Sequence, residues 1–273
     1  MTADAAAFCA GLVGVALSSA LTPQQFDEFG WRIAFLLGAA IVPVGLALRR
    51  ALAETLAGAE PPSDPPADYR RVAVLGFCLL ASGTVIGYVL DYLTTYAADT
   101  LGMSAQLAFI ATMVSAFSMM CCDPLGGWLS DRVGRRPVMI LSTVMLAGCT
   151  YPTFLAIVHF RSPTALYGGC VLLGIFTGLT QGPVVAALAE SLPRRVRAGT
   201  LSLVYALAIA VFGGSTQFVI KWLQRETGNA LAPGWYMLGA TLLGLLSMIL
   251  FRESAPARQA RATPVPRAGE SAA

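Results

Sequence analysis

Eight separate stretches of this chain are apolar over close to twenty residues each, and that length restricts what the chain can fold into. They run over roughly 5–21, 31–48, 72–92 (with an extension toward 98), 105–122, 138–158, 164–188, 201–220 and 233–251. A helix rises 1.5 Å per residue, so about 20 residues cross the roughly 30 Å hydrocarbon core of a bilayer. A soluble domain would need polar surface between such runs. Here 56% of the 273 residues are hydrophobic, only 12% are charged, and mean hydropathy is +0.68. That is more apolar surface than a soluble core can hide. The chain therefore reads as an all-α, polytopic membrane protein with eight transmembrane helices.

Eight spans put both chain ends on one side, and the basic residues say which side. The second, fourth and sixth connections and the C-terminal tail hold 14 arginines, whereas the opposite connections hold only Arg161, Lys221 and Arg225. Both termini are expected in the cytoplasm. Trp31, Trp222 and Trp235 fall at span ends, as interfacial aromatics do. The opening run, which has Asp4 ahead of it, reads as a helix that stays in place rather than a cleaved leader. The net charge of +3 forms no continuous basic stripe, so nucleic-acid binding is not indicated. Six cysteines fall in or at the ends of apolar runs without a CxxC pair and read as small hydrophobes, with no metal site and no cofactor implied. A single His159 at a span edge and the lack of GxSxG, HExxH or phosphate-loop motifs argue against an enzyme.

The organisation is uneven. Two spans (1–48) precede a charged, Pro-rich stretch, "RRALAETLAGAEPPSDPPADYRR" (49–71), which reads as a cytoplasmic loop; six spans (72–252) follow, and 253–273 reads as a disordered tail.

Charge is concentrated in "GGWLSDRVGRRP" (126–137), between the fourth and fifth spans. Gly127 and Gly134 bracket the stretch and suit a tight antiparallel connection. Asp131 can accept hydrogen bonds from arginines or a helix N-terminus, while Arg132, Arg135 and Arg136 can pair with helix C-termini, carboxylates or anionic lipid headgroups. Two readings stand side by side: a latch between helices that must later separate, or a positive-inside anchor without moving parts.

The string Gly127-x-x-x-Asp131-Arg132-x-Gly134-Arg135-Arg136 resembles the cytoplasmic signature of the major facilitator superfamily, which occurs there after helix 2 and, more weakly, after helix 8. "GWRIAFLLGAAIVPVGLALRRALAETL" (30–56) resembles helix 6 and the central loop of its metabolite:proton symporter branch. "ALAESLPRRVRAGTLSLVYALAIAVFGGSTQFVIKWL" (187–223) resembles that branch's passage from helix 10 to helix 11. "TPQQFDEFGWRIAFL" (22–36) and "YVLDYLTTYAADTLGMS" (88–104) are most similar to citrate and tricarballylate symporters. The resemblance implies a partial major facilitator fold, equivalent to helices 5–12: the last two helices of an N-terminal bundle and a six-helix C-terminal bundle. It also implies proton-coupled symport of a small organic acid across a bacterial inner membrane, with the missing helices or another chain required. A truncated non-transporting protein, and symport of proline, betaine or a dicarboxylate, are the alternatives.

Ionisable groups are costly inside a membrane, so each invites a functional reading. Asp91, with Tyr88, Tyr92, Thr95 and Tyr96 at helical spacings around it, is a candidate proton and substrate site; an interfacial carboxylate facing outer water is the alternative. Gln181, between Thr180 and Gly182-Pro183, is a candidate polar contact for substrate or for a neighbouring helix. Asp123 and Glu190 are candidate members of the cytoplasmic gate, with helix-end ion pairing as the alternative. A tricarboxylate needs buried cationic or amide donors, and no Lys or Arg falls in the middle of these spans, so weak or no transport is expected of this polypeptide alone.

Overall fold

A computed structural model describes residues 2–51, 69–192 and 194–251. The tail expected over 253–273 and most of the loop expected over 49–71 lie outside the described residues. Among the described residues all regular structure is helical, and eight helices are long and apolar enough to cross a membrane. They are α1 (Ala3–Ala20), α2 (Phe26–Ala47), α3 (Arg71–Asp99), α4 (Ala105–Val133), α5 (Arg135–Phe160), α6 (Pro163–Ser191), α7 (Arg197–Thr227) and α8 (Ala232–Leu250).

Two helices run well past their expected ends, α4 to Val133 and α7 to Thr227, and α3 takes the longer of its two expected lengths, to Asp99. An apolar run measures only the part of a helix inside hydrocarbon; the backbone ladder continues into the polar zone as long as nothing stops it. What stops these helices is local. After α4 the chain turns at one residue, Gly134, at φ 117°, ψ 150°, a conformation open essentially to glycine alone. The hydroxyl of Ser104 accepts from the Leu107 N–H to cap α4, and that of Ser162 accepts from the Ala165 N–H to cap α6, with Pro163 in the first turn.

Two spans are composite. In α2 a π turn over Phe26–Gly30 precedes the helices Trp31–Ala39 and Ile41–Ala51. The break falls at Ala40, three residues before Pro43, whose ring would clash with the Ala39 carbonyl of an unbroken helix and whose nitrogen offers no donor to it. In α7 a π turn over Ile209–Gly213 sits at mid-span. There Ser215 Oγ donates to the Val211 carbonyl at 2.5 Å and Thr216 Oγ1 to that of Phe212 at 2.5 Å, adding side-chain donors to carbonyls around the widened turn.

Packing is closest between α4 and α6, and the sequence shows why. Gly174, Gly178 and Gly182 recur every four residues along one face of α6. A Cβ on Gly178 would stand 2.8 Å from the Met119 carbonyl oxygen, and one on Gly182 2.7 Å from that of Asp123. Only bare backbone lets α4 come this near, which is how membrane helices gain dispersion contact without a hydrophobic driving force. Elsewhere the core is conventional: Val89, Leu93, Leu146, Phe154, Leu173 and Met237 are buried toward one end of the bundle, and Leu79, Met139, Leu188 and Met248 toward the other.

The first two spans are attached differently. α1 runs antiparallel to α4, with Phe8 and Phe117 rings 5.7 Å apart and Gly11 against Met113. α2 meets α1 through its π turn and otherwise turns outward, with Phe35 75% exposed. All four tryptophans lie near span ends with about half their surface uncovered, Trp128 as well as the three expected.

Candidate functional site

The charged stretch 126–137 is not the loop its composition suggests. Gly127, Asp131 and Arg132 lie on the last turns of α4, Gly134 alone makes the turn, and Arg135 and Arg136 open α5. Gly127 is helical with open space where a Cβ would sit, so its carbonyl rather than its freedom matters: it accepts from Ser130 Oγ at 2.7 Å and from Arg135 Nη1 at 3.4 Å.

Arg135 is the hub. Its side chain is 9% exposed, and its Nη1 donates to Ser130 Oγ at 2.6 Å and pairs with Asp131 Oδ1 at 2.6 Å. Its other edge faces Glu190 at the end of α6, Nη2 to Oε1 at 2.9 Å and Nε to Oε2 at 3.4 Å, a two-pronged guanidinium–carboxylate pair. One buried cation thus ties the ends of α4, α5 and α6. The neighbouring Arg136 donates from Nη2 to the Ile249 carbonyl at 2.5 Å, drawing α8 to the same corner. Arg132 points away and lies over the Trp128 ring, 4.0 Å from its centroid, as a cation–π pair. Sequence reading found the charges but not the hub or Ser130, because which arginine is buried depends on a partner 55 positions away.

The polar group on α3 divides into two faces. At about 100° per residue, Tyr88 and Thr95 flank Asp91, while Tyr92 and Tyr96 point about 100–140° away. Tyr92 and Tyr96 are fully buried; the Tyr92 hydroxyl donates to Gln224 Oε1 at 2.9 Å and the Tyr96 hydroxyl to the Ala230 carbonyl at 3.0 Å. They fasten α3 to α7 and to the start of α8. Beside them Lys221 Nζ pairs with Asp99 Oδ2 at 2.6 Å across the same end of the bundle. Asp91 is exposed, with Tyr88 and Thr95 half-buried, on a side of α3 that no described helix fully covers. Tyr88 packs on the α7 π turn, where a Cβ at Gly213 would come within 2.8 Å of its ring and 3.0 Å of Thr84. Because α3 continues to Asp99, Asp91 lies eight residues, or about 12 Å, inside the end of its span.

Gln181 is half-buried on α6 and lies over Gly83 of α3, near mid-span in both helices. Asp123, ten residues from the end of α4, is not at the Arg135 hub; it lies beside Asp4 of α1, within reach for side-chain hydrogen bonding. The antiparallel docking of α1 on α4 makes that pair, and nothing in local sequence announces it.

No group of three or more potential metal ligands occurs among the described residues. In composition the mid-span polar groups are carboxyls, hydroxyls and amides, suited to carrying a proton and to hydrogen-bonding a polar solute.

Comparison with known proteins agrees with this architecture. The chain is 34% identical over 261 residues to the citrate-proton symporter of Klebsiella pneumoniae, covering 92% of this chain and 59% of that one. It is 35% identical over 254 residues to the alpha-ketoglutarate permease of Escherichia coli K12, covering 89% and 58%. It is 25% identical to the proline/betaine transporter of Salmonella typhimurium, covering 93% and 54%. The chain therefore spans a little under three fifths of the length of these relatives. Among solved structures, the human organic anion transporter MFSD10 (TETRAN) superposes with a TM-score of 0.50 at 22% identity, covering 73% of this chain and 50% of that one. The family model of the Major Facilitator Superfamily matches residues 3–213 and 72–271, and the chain belongs to that superfamily.

Proposed function

We propose that this chain is the larger part of a proton-coupled symporter for a small organic acid, working by alternating access in a bacterial inner membrane. The observation that carries the proton half is Asp91: a carboxyl held inside a span, flanked by Tyr88 and Thr95, on a face of α3 that the described helices leave exposed. The organic acid half rests on the similarity to citrate-proton symporters and to an alpha-ketoglutarate permease. In this reading α1 and α2 correspond to the last two helices of an N-terminal bundle, and α3–α8 form the C-terminal bundle that rocks against it. The arginine bias supports a cytoplasmic position for both ends of this chain.

The Arg135 hub joins helices of one bundle, so its part in alternating access is to keep that bundle rigid while it moves. Asp131, 63% exposed, keeps an open side for a partner from the other bundle. Among the described residues no Lys or Arg lies in the middle third of a span, so the cations that a tricarboxylate needs belong to helices outside this chain. That same shortage favours a second reading, symport of a zwitterion such as proline or betaine.

The test compares the chain alone with the chain fused behind the first four spans of the Klebsiella symporter. Labelled citrate uptake, driven by an imposed pH gradient, is expected from the fusion and not from the chain alone, and is lost in Asp91→Asn. Uptake of proline but not citrate would select the second reading. A fusion that inserts stably yet moves neither solute would leave a non-transporting membrane protein.

A further inference from the structure

Most buried hydroxyls on these helices are used up locally. Thr150, Thr180, Thr216 and Thr241 each donate to the carbonyl four residues back, the usual resting place for a threonine in a membrane helix. Thr177 differs. It is 2% exposed, its Oγ1 is fully buried, and it has no hydrogen-bond partner among the described residues. Its side chain lines a cavity between α3, α5, α6 and α8. Gln181, one turn further along α6, lines the same cavity, and its carboxamide makes no hydrogen bond among the described residues. Around them stand Ser82 and Thr143, which donate to the Ala240 carbonyl at 2.6 Å and to Met248 Sδ at 3.2 Å and keep oxygen lone pairs for another donor.

The size is selective. About 10 Å³ is open to the centre of a water-sized sphere, the space of one water and too little for an organic acid. One turn of α6 thus presents two uncommitted polar groups to a space of that volume, with further acceptors from two other helices. Leaving the buried Thr177 hydroxyl without a partner is costly, and a water with three or four partners relieves it while also engaging the half-buried Gln181 carboxamide. The residue opposite is fitted to this arrangement: a Cβ on Gly83 would stand 2.8 Å from Gln181 Nε2, so glycine leaves room for the carboxamide that closes the cavity.

We propose that Thr177 and Gln181 bind a single structural water at the centre of the α3–α6 seam, where it bridges two helices that, among the described residues, have no direct side-chain hydrogen bond to one another. The site does not depend on the transport reading and exists whatever the solute.

The test needs no transport. Synchrotron footprinting generates hydroxyl radicals from bound water in place, and oxidation of Met248, which lines the cavity, can be compared with that of Met139 and Met237, which are buried but do not line it. Met248 is expected to oxidise several-fold faster than the other two, to lose that excess in Thr177→Val, and to keep it in Thr177→Ser. Apparent Tm supplies an independent sign. If water is bound, Thr177→Val removes one of its partners and Tm falls, by about 2–4 °C for a chain of this size. If the cavity is dry, the valine deletes an unpartnered hydroxyl and Tm rises. Equal oxidation of the three methionines, or a rise in Tm, overturns the proposal.

Discussion

Consider what happens when the Arg135 hub is dismantled from its two sides. The three charges differ sharply in burial: the Arg135 side chain is 9% exposed, that of Glu190 29% and that of Asp131 63%. Neutralising the anions with Asp131→Asn and Glu190→Gln leaves a guanidinium buried without its two carboxylates, which costs about 3–5 kcal/mol. Replacing the cation with Arg135→Leu leaves two carboxylates that water can reach, and Ser130 still donates to the Gly127 carbonyl at 2.7 Å. A well-packed apolar replacement for a buried ion is often near neutral, so the cost is between zero and about 2 kcal/mol. At about 2–4 °C per kcal/mol for a protein of this length, the double variant should melt about 6–20 °C below the parent and the leucine variant within about 8 °C of it, the double variant being the lower of the two. Thermal unfolding in detergent, followed by the emission of the four tryptophans, reads both. If Arg135→Leu melts lower than the double carboxylate variant, the hub does not work by burial of the cation and the reasoning fails.

Three further outcomes are expected. The two glycines of the signature should part company: Gly134→Ala forces φ 117° on an L-residue and should cost about 1–3 kcal/mol, while Gly127→Ala, helical with open space around it, should be neutral or stabilise by up to about 1 kcal/mol, both read by apparent Tm. Gly178→Ala places a Cβ 2.8 Å from the Met119 carbonyl oxygen and should separate α4 from α6 at a cost of about 1–3 kcal/mol, visible as a lower Tm and a smaller folded fraction on size-exclusion chromatography; unchanged behaviour would mean the helices are not this close. Lys221→Ala removes an ion pair whose two side chains are about half exposed, so its effect on Tm should stay within about 1 kcal/mol and fade further in high salt.

The eight spans were legible because bilayer thickness imposes a minimum apolar length that no other constraint mimics. Their ends were less so. The continuations of α3 to Asp99 and α4 to Val133 are helical but polar, and apolar counting stops where hydrocarbon does. For α3 the longer of the two ends the sequence allows is the one formed, and it sets Asp91 inside the span rather than at its border. The signature's charges were legible too, but its division of labour was not: Arg132, Arg135 and Arg136 look alike in sequence, and only the arrival of Glu190 from α6 makes Arg135 the buried one. On α3 the spacing of five polar residues looked like one face, yet a helix turns about 100° between Asp91 and Tyr92, so one half of the set braces α7 and α8 while the other faces outward. The π turn of α7 carries no sequence mark beyond a pair of glycines. The pairing of Asp4 with Asp123 and the buried Thr177 hydroxyl are not legible in sequence, because one depends on a helix docked across it and the other on a bond that is not made among the described residues.

The outward-turned α2 has a consequence for the chain reconstituted by itself in lipid vesicles. A helix wedged among neighbours has its tilt set by them; one packed mainly through its first turns takes more of its tilt from the lipids. In such vesicles thicker acyl chains should stand α2 more upright and thinner ones lay it over, pivoting at the π turn over Phe26–Gly30. Covering its open side with the remaining helices of an N-terminal bundle should abolish that response.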